Sequence, residues 1–232
     1  MEERRRWEEE GWCRLGQLPE DLLADLDADW EALLARTTAS AGYRSAEHCL
    51  RHTHLWTAVW RQNSAFASLL RLPLLLDSAR QLLGSPSLRL YGQQLVVKHP
   101  ASALPLPWHQ DAPLWPTSGP GLTLWLSLDD VPEEAGCLCY GPGCGPSPRS
   151  EWTLQPAPTR RGELLAHRGE TWHQSGPNRA GRPRRGCVVG LGVADAPPRT
   201  GAWEAERFPL LPLAAGGPQK AQAADLSGER TG

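Results

Sequence analysis

Apolar residues recur at helical spacing in the first third of the chain and switch to short, β-like runs after Ser85. Leu22, Leu23, Leu26, Trp30, Leu33 and Leu34 mark one face of a helix that runs to residue 36. Pro19-Glu20-Asp21 opens it, since proline suits a first turn and early acids suit the helix dipole. Residues 1–10 are charged and helix-prone and stop at Gly11, and Trp12 to Leu15 reads as a short strand. Residues 37–54 are polar with scattered histidines and read as a loop, a candidate part of a pocket. Trp56 to Leu70 reads as a helix around Val59, Trp60 and Phe66. Another starts at Pro73, covers Leu74 to Leu83 and is closed by Gly84.

The β-like runs are Leu88 to Lys98, Trp108 to Asp111, Gly121 to Asp129, Cys137 to Tyr140, Trp152 to Gln155, Gly162 to His167 and Gly186 to Val193. Pro/Gly-rich turns separate them at spacings expected of a sandwich or barrel. The pattern predicts a mainly β chain with N-terminal helices (α+β), a helical third packed on a jelly-roll. The predicted boundaries are one domain over 1–213, helical over 1–84 with the jelly-roll over 85–196. Residues 214–232 are Ala/Gly/Gln-rich and predict a disordered tail.

Composition narrows the function classes. At 232 residues and net charge −2, the chain has room for a sizeable core, and nothing marks it as a general binder of nucleic acid or anionic membrane. Tryptophan is abundant at 11 against 2 phenylalanines, which suits a core or a pocket wall. Lys98 and Lys220 are the only lysines, so a lysine inside a site would stand out. The charged N-terminus has no apolar signal-peptide core, and no run approaches a membrane span. With six cysteines, a reduced, cytoplasmic protein is the expectation.

The candidate chemistry lies in Trp108-His109-Gln110-Asp111 and in His173 far downstream. Side chains two apart on a strand share a face, so an extended stretch would aim His109 and Asp111 at one metal ion. A second imidazole, His173, completes a two-histidine, one-carboxylate set, the donor pattern of non-haem Fe(II) with open positions. Arg182, Arg184 and Arg185 follow, and an arginine beside such a metal could bind a dicarboxylate through both its oxygens. His-x-Asp alone is a pattern that chance supplies, with a turn or core role as the plain alternative.

Order and spacing add specificity. His109-Gln-Asp followed by Trp115, the Trp125-Leu-Ser-Leu-Asp-Asp130 strand and turn, Glu134-Ala-Gly-Cys-Leu138, Pro142-Gly143 and the His-x-Ser-x-x-Asn pattern at His173, Ser175 and Asn178 stand in one sequence order. In this the chain resembles the phytanoyl-CoA dioxygenase family of Fe(II)/2-oxoglutarate-dependent oxygenases, over roughly residues 4–193. The resemblance implies a double-stranded β-helix (jelly-roll, cupin-like) and Fe(II), 2-oxoglutarate and O₂ as cofactor and co-substrates. It implies His109, Asp111 and His173 as metal ligands and Arg184 as the anchor of the distal carboxylate, with Arg182 and Arg185 as fallbacks. Lys98, Trp125 and Ser175 match positions that contact the co-substrate. The chain departs from the family at Pro142-Gly143-Cys144-Gly145, where a histidine often stands, and at Gly162-Glu163, where the second residue is usually Asp.

The implied activity is hydroxylation of an unactivated C–H bond of a small organic substrate (lipid-like, amino-acid or natural-product), releasing succinate and CO₂. An acid at Asp111 disfavours halogenation, which needs a small residue there. The alternatives are a non-catalytic metal-binding jelly-roll that acts as a sensor or interaction module, an acyl-CoA-specific hydroxylase of the same family, and a cupin-type isomerase or hydrolase. His48, His52 and His54 are read as pocket-lining or surface residues, Cys137 and Cys139 as buried thiols, and His99 and His167 as structural. Arg160-Arg161 reads as a solvated turn, and Trp115 as equally suited to core or substrate wall. No nucleic-acid or membrane partner is expected, and no oligomeric state is assigned.

Overall fold

The structure, a computed structural model, describes residues 2–52, 54–101, 105–142 and 152–199 and the backbone of 211–213. The region of Gly143, Cys144 and Gly145 and the expected tail at 214–232 lie outside these.

In chain order the elements are α1 (Glu2–Glu10), β1 (Trp12–Gln17), α2 (Glu20–Ser40), α3 (Ala46–His52), β2 (Leu55–Thr57), α4 (Ser64–Leu69) and α5 (Pro73–Leu83). Strands β3 (Leu88–Lys98), β4 (Leu106–His109), β5 (Gly121–Ser127), β6 (Leu138–Tyr140) and β7 (Gln155–Ala157) follow. The last are β8 (Glu163–Arg168), β9 (His173–Ser175), β10 (Arg184–Val193) and β11 (Leu211–Leu213). A major sheet runs β1-β8-β5-β10-β3-β11, with β2 also paired to β3, and a minor sheet runs β4-β9-β6-β7. Every strand pairing is antiparallel.

Alternation along the strands divides the core in two. Leu124 and Leu126, Leu164 and Ala166, and Cys187, Val189 and Leu191 face the helices and join Leu23, Leu26, Trp30, Phe66 and Leu75. Their neighbours Trp125 and Leu165 face the minor sheet and pack with Trp12, Leu138, Tyr140 and Ala157. A period of two on strands buried on both faces produces this split. An ion-pair network fixes α2 to the sheets: Asp27 accepts from Arg185 (2.8 Å) and Arg161 (2.9 Å), and Arg161 also reaches Glu20. Arg161 is therefore a structural cation and not a freely solvated turn.

Three expectations fail locally. Residues 37–54 are mostly helical, because α2 runs on to Ser40 and α3 buries Cys49 and Leu50 while Glu47 and Arg51 pair one turn apart. Trp56 to Leu70 is not one helix. Leu55–Thr57 is captured by the edge of β3, and Ala58, at φ 53, breaks the path before a 3₁₀ turn and α4. Trp152 to Gln155 yields to a strand slightly later, β7. The expected strand from Trp12 forms as β1, and both it and the unexpected β2 join the major sheet.

Candidate active site

The ligand candidates come from the minor sheet and from the turn that leaves it. His109 ends β4 and faces His173, which opens β9, across the ladder, with ring centres 4.0 Å apart. Asp111 is not on the strand. It has αR backbone and begins a 3₁₀ turn over Ala112–Leu114, so the expectation of one extended stretch fails. The turn brings the carboxylate back nonetheless: Asp111 Oδ1 lies 3.7 Å from His109 Nε2 and 3.8 Å from His173 Nε2. One ligand atom from each residue lies within 4.8 Å of the others, the one such group among the described residues.

Backbone carbonyls set the tautomers of both histidines. His109 Nδ1 donates to Pro107 O (2.8 Å) and His173 Nδ1 to Thr171 O (3.0 Å), which leaves each Nε2 lone pair aimed at the shared space. Burial, with the neighbouring His167, lowers His173 to about 3, so its imidazole is neutral and able to ligate. Burial alone would raise Asp111. Hydrogen bonds from His167 and Thr123 and the adjacent imidazoles hold it below the usual carboxylate range. Two Nε2 lone pairs and one carboxylate suit a divalent transition metal.

The second cluster is cationic. Arg184 is 2% exposed, its guanidinium lies 4.8 Å over the Trp125 ring, and Nη2 donates to Gly136 O (2.6 Å). Its Nε and Nη1 are buried with no partner among the described residues. Gly186 makes this possible, because a side chain there would occupy the Trp125 ring. Lys98 is paired with Arg184 across the ladder, and its Nζ donates to Ser175 O (2.8 Å) and Gly176 O (2.5 Å). Burial and the Arg184 charge lower Lys98 to about 7. Asn178 ties the region together through Lys98 O and Arg182 O. Arg182 is exposed, and Arg185 is committed to Asp129 and Asp27, so neither fallback has a free buried guanidinium.

Other readings resolve as follows. Gln110 points away and donates to Glu170 O (2.5 Å). Trp115 is core, covering Gly121 and Gly169 beside Tyr91. Trp56 and Trp60 are buried, with Trp56 edge-on to Trp30. His48 and His52 pack on Tyr43 and lack a third metal-binding group among the described residues. Cys137 is buried and Cys139 half-buried, both free thiols.

Sequence reasoning read His167 as structural and did not connect it with Asp111. Its Nε2 lies 3.1 Å from Asp111 Oδ2, and its Nδ1 meets the Tyr140 hydroxyl at 3.2 Å. Thr123, paired with His167 across β5 and β8, donates to the same Oδ2 (2.5 Å). Strand parity puts His167 on the inter-sheet face with Leu165, but its neighbour depends on a β5–β8 register that no local pattern encodes.

Fold and site together define the class, a jelly-roll with a convergent two-histidine, one-carboxylate group and a buried cationic cluster. The chain matches the phytanoyl-CoA dioxygenase (PhyH) family over residues 7–186, and it belongs to that family. A protein of Stutzerimonas stutzeri named "Probable alpha-ketoglutarate-dependent hypophosphite dioxygenase" is 33% identical over 163 residues, covering 59% of this chain. The chain spans 56% of that relative's length. AviO1 from Streptomyces viridochromogenes Tue57 is similar at 26% identity and TM-score 0.70, with 85% of this chain and 96% of that one covered. SnoK, a non-haem alpha ketoglutarate dependent carbocyclase from nogalamycin biosynthesis, shares the fold at 23% identity and TM-score 0.72, with 95% and 93% covered. Among the described residues no helix is long and apolar enough to cross a membrane.

Proposed function

We propose that this chain is an Fe(II)- and 2-oxoglutarate-dependent dioxygenase that hydroxylates an unactivated C–H bond of a small organic molecule, with succinate and CO₂ as co-products. His109, Asp111 and His173 would hold the metal, and Arg184 the distal carboxylate of 2-oxoglutarate. One observation carries the reading: a fully buried guanidinium with two nitrogens unpartnered among the described residues stands in the same fold as three convergent candidate ligand atoms. Buried charge without a partner is costly, and a carboxylate is the group it fits.

Fe(II), when bound, supplies the oxygen-activating chemistry in which 2-oxoglutarate and O₂ are consumed. The chain's own residues do the rest. Trp125 stacks on Arg184 and keeps its fork from swinging. Lys98 holds the β9 end through Ser175 and Gly176, and adds positive charge beside Arg184. The inner face of β3 and β10 forms the floor for the substrate, with Gly92, Gln94, Val96, Val188 and Gly190 half-buried. Val96 and Val188 pack on the inter-sheet cluster, which supports that facing. Beyond Lys98 and Arg184, which the co-substrate would engage, this floor carries an amide and no charge, which favours a neutral, carbon-based substrate over an anion such as the hypophosphite of the relative's name.

The test is a succinate-release screen over compound pools with added Fe(II), followed by mass detection of a product heavier by one oxygen. Succinate formation that depends on substrate and on 2-oxoglutarate supports the proposal. Turnover without 2-oxoglutarate, or iron binding without succinate release in any pool, sinks it.

A further inference from the structure

We propose that His167, oriented by Tyr140, is a positioning residue that holds Asp111 as a one-oxygen ligand. The inference rests on the reading that His109, Asp111 and His173 bind a metal. The two carboxylate oxygens of Asp111 have different surroundings. Oδ1 faces the two Nε2 atoms of His109 and His173. Oδ2 turns away and meets Thr123 Oγ1 and His167 Nε2.

The tautomers make the division specific. His109 and His173 carry their proton on Nδ1, because a carbonyl can only accept. His167 is the reverse. A carboxylate oxygen can only accept, so the His167 proton sits on Nε2, and Nδ1 is left to accept from the Tyr140 hydroxyl. Tyr140 is itself fully buried and stacked on Trp12 with ring centres 4.5 Å apart. Two histidines offer nitrogen lone pairs to the metal, and a third, from the major sheet, offers N–H to the carboxylate between them.

Without His167, Thr123 alone would hold Oδ2. The carboxylate could then turn both oxygens towards the metal and occupy a position that 2-oxoglutarate needs. A hydrogen bond to a ligating carboxylate matters at the scale of metal affinity, typically 10–100-fold.

The test uses full-length protein without iron, titrated with Mn(II) and followed by electron paramagnetic resonance. Binding of 2-oxoglutarate to the Co(II)-loaded protein is followed by visible absorption. His167→Phe should weaken Mn(II) binding by about 10–100-fold and weaken 2-oxoglutarate binding to the Co(II) form. His167→Gln, whose amide restores an N–H donor, should recover most of both. Tyr140→Phe, which frees the tautomer, should give a smaller loss of the same kind. Wild-type affinities in a folded His167→Phe protein overturn the proposal, and so do equal losses in the Phe and Gln variants. Should His167→Phe fail to fold, Tyr140→Phe carries the test, and unchanged Mn(II) affinity there overturns the proposal. Absence of Mn(II) binding by the unaltered chain overturns the metal reading itself.

Discussion

Replacing Arg184 with methionine separates a co-substrate anchor from a structural cation. Among the described residues the guanidinium of the free protein makes one charged hydrogen bond, to Gly136 O, and one cation–π contact, with Trp125. Removing these costs about 1.5–3 and about 2 kcal/mol. The same substitution relieves the burial of Nε and Nη1, two donors without partners at about 1–3 kcal/mol each. The terms nearly cancel, so the melting temperature of the free Arg184→Met protein should stay within a few degrees of the parent. Binding should behave differently. Two charged hydrogen bonds to a carboxylate are worth about 3–6 kcal/mol together, or about 10²–10⁴ in Kd. At 2-oxoglutarate concentrations about 100 times the parent's Kd, ligand stabilises the parent by about 2.7 kcal/mol, and the variant should show almost none. Thermal melts with Mn(II), with and without 2-oxoglutarate, read both quantities. A variant that keeps the ligand-induced shift, or a free protein destabilised by several kcal/mol, refutes the argument.

Asp111→Ala should abolish substrate-dependent succinate formation and lower Mn(II) affinity, as measured by coupled succinate assay and metal titration. The Lys98 ammonium, depressed to about 7 from 10.5 by burial and by Arg184, implies a pH dependence with a definite sign. Between these values the unfolded chain binds a proton that the folded chain does not, so stability of the free protein rises with pH through this window. The ligand-induced melting shift should therefore be larger at pH 6.5 than at pH 9, and Lys98→Met should flatten that difference; a shift that grows with pH speaks against a charged Lys98 at the co-substrate site. Gly186→Val should cost about 1–3 kcal/mol or more by denaturant unfolding, because its methyls would need the space of the Trp125 ring. Gly92→Val, with nothing within 4 Å of its new Cβ, should leave stability and Mn(II) affinity unchanged while lowering kcat/KM for the substrate found by screening.

Legibility in the sequence followed the range of the interaction. Strong local periods placed α2 and α5, and the long β3 and β10 runs were plain. Motif order, which carries long-range information that periodicity lacks, singled out His109, Asp111 and His173, which converge in space, and Arg184, which is buried. Two kinds of feature escaped. Leu55–Thr57 took its conformation from the β3 edge, a tertiary capture that overrides local preference. The partnership of His167 with Asp111 depends on which residues stand opposite each other in β5 and β8 and on a 3₁₀ turn after His109. Strand register of that kind is set by the whole core.

One rung of the major sheet links these parts: His167, Thr123, Gly190 and Gly92 stand opposite one another across β8, β5, β10 and β3. At one end two side chains grip one oxygen of the Asp111 carboxylate, and at the other Gly92 leaves open space while Gly190 lies against Tyr91 and Trp115. The rung therefore divides the labour of adaptation. Variation at position 92 can reshape the guest that fits while the surroundings of Asp111 stay constant, whereas variation at 123 and 167 reaches the Asp111 carboxylate whatever the guest.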